Sequence, residues 1–255
     1  MARAARAEVT VPDDLDVPRD VEAGAEAPDT GLGEGAVQGA SRPNGGLNDA
    51  PNQTCVVLTR PSCAQLFFLY GSRQGGVPTQ FLQRSRLAGR NLVLLRDPWD
   101  ANFERGLGPS VPDRDAILEF QRAHVAKLAH VREVHTFGFS SGGYAALLFG
   151  HLMGAKTSWA FSPRSGQSTS DGAPFALSLL RSALTQGTGA TEHRIYYAAG
   201  NVQDHRLAKR LEGLPGVALF PRAELGDTHE SMRELALSGE LARLLPPFTP
   251  SRSTP

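Results

Sequence analysis

Residues 133–150, EVHTFGFSSGGYAALLFG, decide how this sequence folds. EVHTFGF reads as a short, largely apolar strand and YAALLFGHLMGA as an apolar helix. Between them, Gly138-Phe139-Ser140-Ser141-Gly142 matches the pattern G-x-S-x-G. As a bare pattern it is weak, because Gly and Ser are common. Its placement between a strand and a helix gives both glycines a mechanical reason. The turn is so tight that a side chain on either side of the serine would collide with neighbouring backbone. The serine is forced into a strained conformation that holds its hydroxyl out at the carboxyl edge of a sheet. The helix that follows aims its first N–H groups at the same place, where they suit an oxyanion. Ser141 as the reactive residue would put the glycines at the wrong offsets.

Working outward, the same alternation repeats. CVVLTRPS and QLFFLYGS are short apolar runs that suit buried strands, and the Gly-rich loop 71–78 follows. QFLQRSRLAG reads as a short helix ending at Gly89, and NLVLLRDP as the next strand. Residues 99–112 are irregular, and Asp113 or Asp115 can cap a long helix, AILEFQRAHVAKLAHV. After the central turn come the strand TSWAFSP and a polar insertion over 164–191 that contains the helical piece PFALSLLRSAL. The strand RIYYAAG, the helix LAKRLEGL, the strand VALFPRA and the helix SMRELALSGELARLL close the domain. Strands alternating with helices predict parallel strands, right-handed crossovers and helices on both faces. The expected fold is a three-layer α/β/α sandwich with a mostly parallel sheet, spanning residues 53–247. Residues 1–52 carry few aliphatic and no aromatic residues, and read as a disordered tail. Residues 248–255 read as a flexible end.

A serine hydroxyl is a poor nucleophile without a base, and the base needs an acid to orient it. In a fold of this kind the chain order is serine, acid, histidine. AAGNVQD carries Asp204 just after one downstream strand. LGDTHE carries His229 after the last strand, so all three would converge at carboxyl ends of parallel strands. Of the rivals, His124 and His130 fall on the upstream helix, His135 within a strand and His151 more than two turns past Ser140. His193 reads as exposed; His205 adjoins Asp204 but precedes the last strand. Asp227 and Glu224 share the histidine's own loop and are less suited as the acid. The oxyanion would need the N–H of Ser141 and a second one from the early loop, Ser72 or Arg73.

The remaining composition narrows the classes. The chain has 255 residues, 40% apolar and 20% charged, with Lys plus Arg equal to Asp plus Glu at 26 each. That balance favours neither nucleic acid nor an anionic membrane. No run of about 18 apolar residues exists, so no membrane span is expected. The N-terminus lacks the apolar core of a secretory signal, and the expected location is cytoplasmic. Two cysteines, Cys55 and Cys63, are too few for a disulfide scaffold and no Cys-x-x-Cys pair is present, which reads as a reducing compartment. The Arg-over-Lys bias with abundant Ala, Gly and Pro suggests a GC-rich bacterial source.

On GFSSGGYAALLFG, AAGNVQD and LGDTHE, in that order, the chain resembles the α/β-hydrolase superfamily over residues 55–245. LLRDPWDANFERGLG and AFSP resemble, more narrowly, a bacterial group of unassigned substrate. The resemblance implies Ser140 as nucleophile, Asp204 as acid, His229 as base and a backbone oxyanion hole, without metal or cofactor. It implies cleavage of an ester, thioester or amide in a small-molecule acyl substrate. Transfer of the acyl group to a sugar or other alcohol is the alternative, and a non-catalytic binding protein of the same fold a third. Tyr70-Gly71 stands where the early loop of such proteins usually has His-Gly. The short insertion after Ser162 implies a small or absent lid, and Arg164 and Arg181 near it read as surface charges.

Overall fold

Parallel strands covered on both faces need continuous apolar runs, and β2 (Gln65–Gly71) has one: Gln65 to Tyr70 are all buried. The computed structural model describes residues 55–71, 79–164, 173–186 and 190–251. The expected tail 1–52 and residues 252–255 lie outside the described residues. Around β2 stand β1 (Cys55–Leu58), β3 (Asn91–Arg96), β4 (Glu133–Phe139), β5 (Thr157–Phe161), β6 (Glu192–Ala198) and β7 (Val217–Arg222). The seven strands lie in the order β1-β3-β2-β4-β5-β6-β7. Every neighbouring pair is parallel except β1 with β3, which is antiparallel. A parallel partner for β2 needs a crossover of a dozen or more residues, and the Thr59–Ala64 connection is too short for one. β1 therefore reverses and pairs beyond β2, on the far edge of β3.

The helices are α1 (Thr79–Arg84), α2 (Arg114–Lys127), α3 (Ser141–Met153), α4 (Ala173–Gln186), α5 (Val202–Lys209), α6 (Ser231–Leu237) and α7 (Glu240–Leu244). Alternate residues of each strand feed opposite layers. Phe67, Phe137, Trp159, Phe161 and Tyr196 pack with Leu87, Leu235 and Leu241 on the side of α1, α6 and α7. Leu66, Phe68 and Tyr70 pack with Ile117, Ala146 and Phe149, and Ile195 and Tyr197 with Leu148 and Leu180, on the side of α2 to α5. The three layers expected from the alternation are present. Asp113 caps α2, accepting from the Ala116 N–H at 2.8 Å.

Four readings differ in detail. The helix expected to reach Gly89 ends at Arg84. The C-terminal helix is two, broken at Ser238-Gly239, where Gly239 takes a φ of 76° that a helix cannot continue. His193 is not exposed but fully buried on β6, because that strand is covered on both faces. The end expected to be flexible from 248 is tied down as far as Ser251: the Ala64 N–H donates to the Thr249 carbonyl at 2.8 Å and the Ser251 N–H to the Ser62 carbonyl at 2.9 Å. Cys55 and Cys63 are both free thiols, and burial pushes the Cys55 thiol up to about 12.

Candidate active site

β4 delivers Ser140 to the carboxyl edge of the sheet and α3 starts on the next residue. Ser140 has φ 54° and ψ −120°, a region that costs a non-glycine residue about 1–3 kcal/mol. The glycines that permit this are sterically required. A Cβ on Gly138 would overlap the Gly142 carbonyl, and one on Gly142 would overlap the Tyr70 carbonyl. Three backbone bonds hold the turn. The Ser140 N–H donates to the Phe161 carbonyl at 2.9 Å, and the Ser140 carbonyl accepts from Tyr144 at 3.1 Å and Arg164 at 3.0 Å.

Asp204 sits not in a loop but in the first turn of α5, capped by Asn201, whose side-chain oxygen accepts from the Asp204 N–H at 3.0 Å. The same Asn201 amide donates to the Asp227 carbonyl at 2.9 Å, and the Gly200 N–H to the Gly226 carbonyl at 2.8 Å. These two bonds lace the loop after β6 to the loop after β7, which carries His229. The structure thus brings Ser140, His229 and Asp204 together. His229 Nδ1 donates to Asp204 Oδ2 at 2.9 Å and lies 3.1 Å from Oδ1. His229 Nε2 accepts from the Ser140 hydroxyl at 3.1 Å. With Nδ1 carrying the proton, Nε2 is the free base facing the serine. The imidazole lies against Phe139, with ring centroids 4.9 Å apart.

The Asp204 carboxylate is fully buried. Burial alone would raise its proton affinity; hydrogen bonds from His229, Ser162 and Arg164 outweigh that and hold it below the usual carboxylate value. Arg164 Nε donates to Asp204 Oδ1 at 2.9 Å, and its side chain is only 16% exposed, so it is no surface charge. Ser162, at φ 42°, donates its N–H to the Tyr196 carbonyl at 2.7 Å, and its hydroxyl lies 2.7 Å from that of Ser231 at the start of α6.

Arg164, Ser162, Ser231 and Asn201 were not singled out by sequence reasoning as parts of this cluster. For Asn201 the signal was present: Asn-x-x-Asp is a helix-capping pattern. The other three are brought in only by the packing of β5 against β6 and α6.

The other histidines stay away from Ser140. His124 bonds the Phe120 carbonyl at 2.9 Å, and His135 is buried between Phe67 and Trp159. His151 faces His193, His205 rests on the Tyr197 ring, and His130 lies 3.4 Å from the Asn91 side chain. Glu224 pairs with Arg222, and the Asp227 side chain is exposed. Ser141 opens α3, and the first N–H groups of a helix have no intrahelical acceptor. Ser72 and Arg73 lie outside the described residues. Among the described residues no group of three or more His, Cys, Asp or Glu is placed to hold a metal ion. No helix there is long and apolar enough to cross a membrane.

The fold and the edge position of this cluster define the class: the chain has the α/β-hydrolase fold. No family model matches the sequence, and no curated protein is significantly similar to it. Among solved structures, it is similar to Est1E from Butyrivibrio proteoclasticus, with 13% identity, TM-score 0.50, and 74% of this chain and 90% of that one covered. It is also similar to the capsule O-acetyltransferase of Neisseria meningitidis serogroup A, with 10% identity, TM-score 0.51 and the same coverage of 74% and 90%.

Proposed function

We propose that this protein is a serine hydrolase that cleaves a carboxylic ester, or a related acyl bond of a small molecule, through an acyl-enzyme on Ser140. The observation that carries this reading is the continuous hydrogen-bonded line from Ser140 Oγ through His229 to the buried Asp204, starting at a serine held in a strained turn. Strain at such a position is kept only when the surroundings over-determine it, and a mere strand-to-helix connection has no need of it.

Ser140 Oγ attacks the acyl carbonyl carbon while its proton passes to His229 Nε2. Asp204 holds the ring and stabilises the imidazolium. The oxyanion is received by the Ser141 N–H and by a second N–H, that of Ser72. Collapse breaks the bond to the leaving group, which takes the proton from His229. Water then adds to the acyl-enzyme, gives its proton to His229, and the acid departs as the proton returns to Ser140 Oγ.

Handing the acyl group to a sugar or other alcohol is the alternative, and the fold shared with a capsule O-acetyltransferase supports keeping it. A fluorophosphonate probe with mass readout tests the core of the proposal. Labelling at Ser140 that disappears in Ser140→Ala and falls sharply in His229→Ala is expected. A folded wild type that takes no label would sink it. Product analysis with competing alcohols separates hydrolysis from transfer.

A further inference from the structure

Asp204 Oδ1 has two nitrogen neighbours: Arg164 Nε at 2.9 Å and His229 Nδ1 at 3.1 Å. Arg164 is itself anchored to the nucleophile's turn, because its N–H donates to the Ser140 carbonyl at 3.0 Å. It follows Ser162-Pro163 at the end of β5, and its guanidinium is mostly buried. One residue therefore touches the serine through its backbone and the acid through its side chain.

The acid of a Ser-His-Asp arrangement has two tasks, to orient the imidazole and to stabilise the imidazolium. A fixed cation on the carboxylate helps the first and opposes the second. It clamps the carboxylate in place with a charge-assisted bond. It also cancels part of the negative potential at the ring, so the ring gains a proton less readily from solvent.

We propose that Arg164 is a positioning residue that locks Asp204 against His229 and extends the working range of the Ser140–His229 pair to lower pH. This rests on the reading of Ser140, His229 and Asp204 as nucleophile, base and acid.

The elements that meet there carry other charged groups. On α5, Arg206 is exposed, Lys209 pairs with Glu212 and His205 rests on Tyr197. After β7, Arg222 pairs with Glu224 and Glu240, while Asp227 and Glu230 are exposed. On α6, Arg233 is exposed and Glu234 half-buried. Among the described residues, Arg164 and His229 are the basic side chains in hydrogen-bond contact with Asp204.

The experiment measures the second-order rate of fluorophosphonate labelling at Ser140 in the full chain from about pH 5 to about pH 9. Wild type is compared with Arg164→Gln, Arg164→Met and Arg164→Lys, and Ser140→Ala serves as the blank. In the neutral variants the acid limb is expected to move up by roughly one pH unit, and the plateau rate to fall about tenfold as Asp204 loses its clamp. Arg164→Lys should keep the wild-type limb, because the charge remains, but recover only part of the plateau, because an ammonium lacks the guanidinium's planar fork. A folded neutral variant with an unmoved limb overturns the proposal, whatever happens to its plateau. If Gln and Met both unfold, a limb shifted in Arg164→Lys would equally overturn it, and an unshifted one with a lowered plateau would bear it out. A wild type that takes no label at Ser140 at any pH instead removes the nucleophile reading, and this proposal with it.

Discussion

Gly142, in the first turn of α3, lies so close to the backbone of Tyr70 on β2 that a Cβ on it would overlap the Tyr70 carbonyl oxygen. The helix that begins right after Ser140 is thus docked against β2, the strand that ends at Gly71. Gly142 serves this close approach between two elements, while Gly138 serves the turn itself, where a Cβ would overlap the Gly142 carbonyl.

Gly142→Ala is therefore expected to push α3 away from β2. Inserting a methyl group into such a contact costs about 1–3 kcal/mol. Thermal unfolding should show a lowered Tm, and labelling of Ser140 should fall further than the loss of folded protein explains. An unchanged Tm would mean that the contact relaxes freely.

Ser140→Gly and Ser140→Ala both remove the hydroxyl, but only glycine accepts φ 54° with ψ −120° without strain. Ser140→Gly should be more stable than Ser140→Ala by about 1 kcal/mol in urea denaturation, even though glycine gains more entropy on unfolding. Equal stability would show that the serine's backbone is relaxed.

Asp204→Asn keeps the side chain's size but removes the charge shared by His229 and Arg164. The reaction at Ser140 should slow by roughly ten-thousandfold, since the imidazole loses both its orientation and its counter-charge. Stability should also fall by about 3 kcal/mol, because the mostly buried Arg164 is left without its partner. A loss of rate under tenfold would shift the acid's role to another residue.

Asn201 holds α5 at one end and the Asp227 carbonyl at the other. Asn201→Asp retains the cap acceptor and loses the donor to Asp227, whereas Asn201→Ala loses both. The alanine variant should lose about 1 kcal/mol through the cap. Both variants should lower the labelling rate if the lacing of the two loops sets the Asp204–His229 distance. A rate lowered by alanine alone would confine the effect to the cap.

Burial pushes His135 and His193 down to about 4. In the unfolded chain each titrates near 6.5, so between about 6.5 and about 4 the unfolded state binds protons that the native state does not. Stability is full above this window and falls as pH drops through it, by up to about 1.4 kcal/mol per pH unit for each histidine. Asp204, held below its ordinary value of 3.8, adds its loss only under that pH. Urea titrations at about pH 7, 6 and 5 should show the slope, and His135→Phe with His193→Leu should flatten it. A slope that survives both substitutions would assign the acid sensitivity elsewhere.

The sequence by itself determined the layered α/β architecture, because hydrophobic period and turn residues are local properties of the chain. It also singled out Ser140, Asp204 and His229 as candidates, and the structure places them in hydrogen-bond contact, since strand-loop-helix junctions can be read one at a time and parallel strands send all such junctions to one edge. The reversed edge strand β1, the burial of His193 and the recruitment of Arg164 to Asp204 were decided only by the tertiary structure. Each depends on which strands become neighbours and on how far a side chain reaches across that neighbourhood. Arg164 looks in sequence like any arginine beside a polar insertion. Its buried place on Asp204 comes from β5 lying next to β6, which sets the end of one strand against the helix that follows the other.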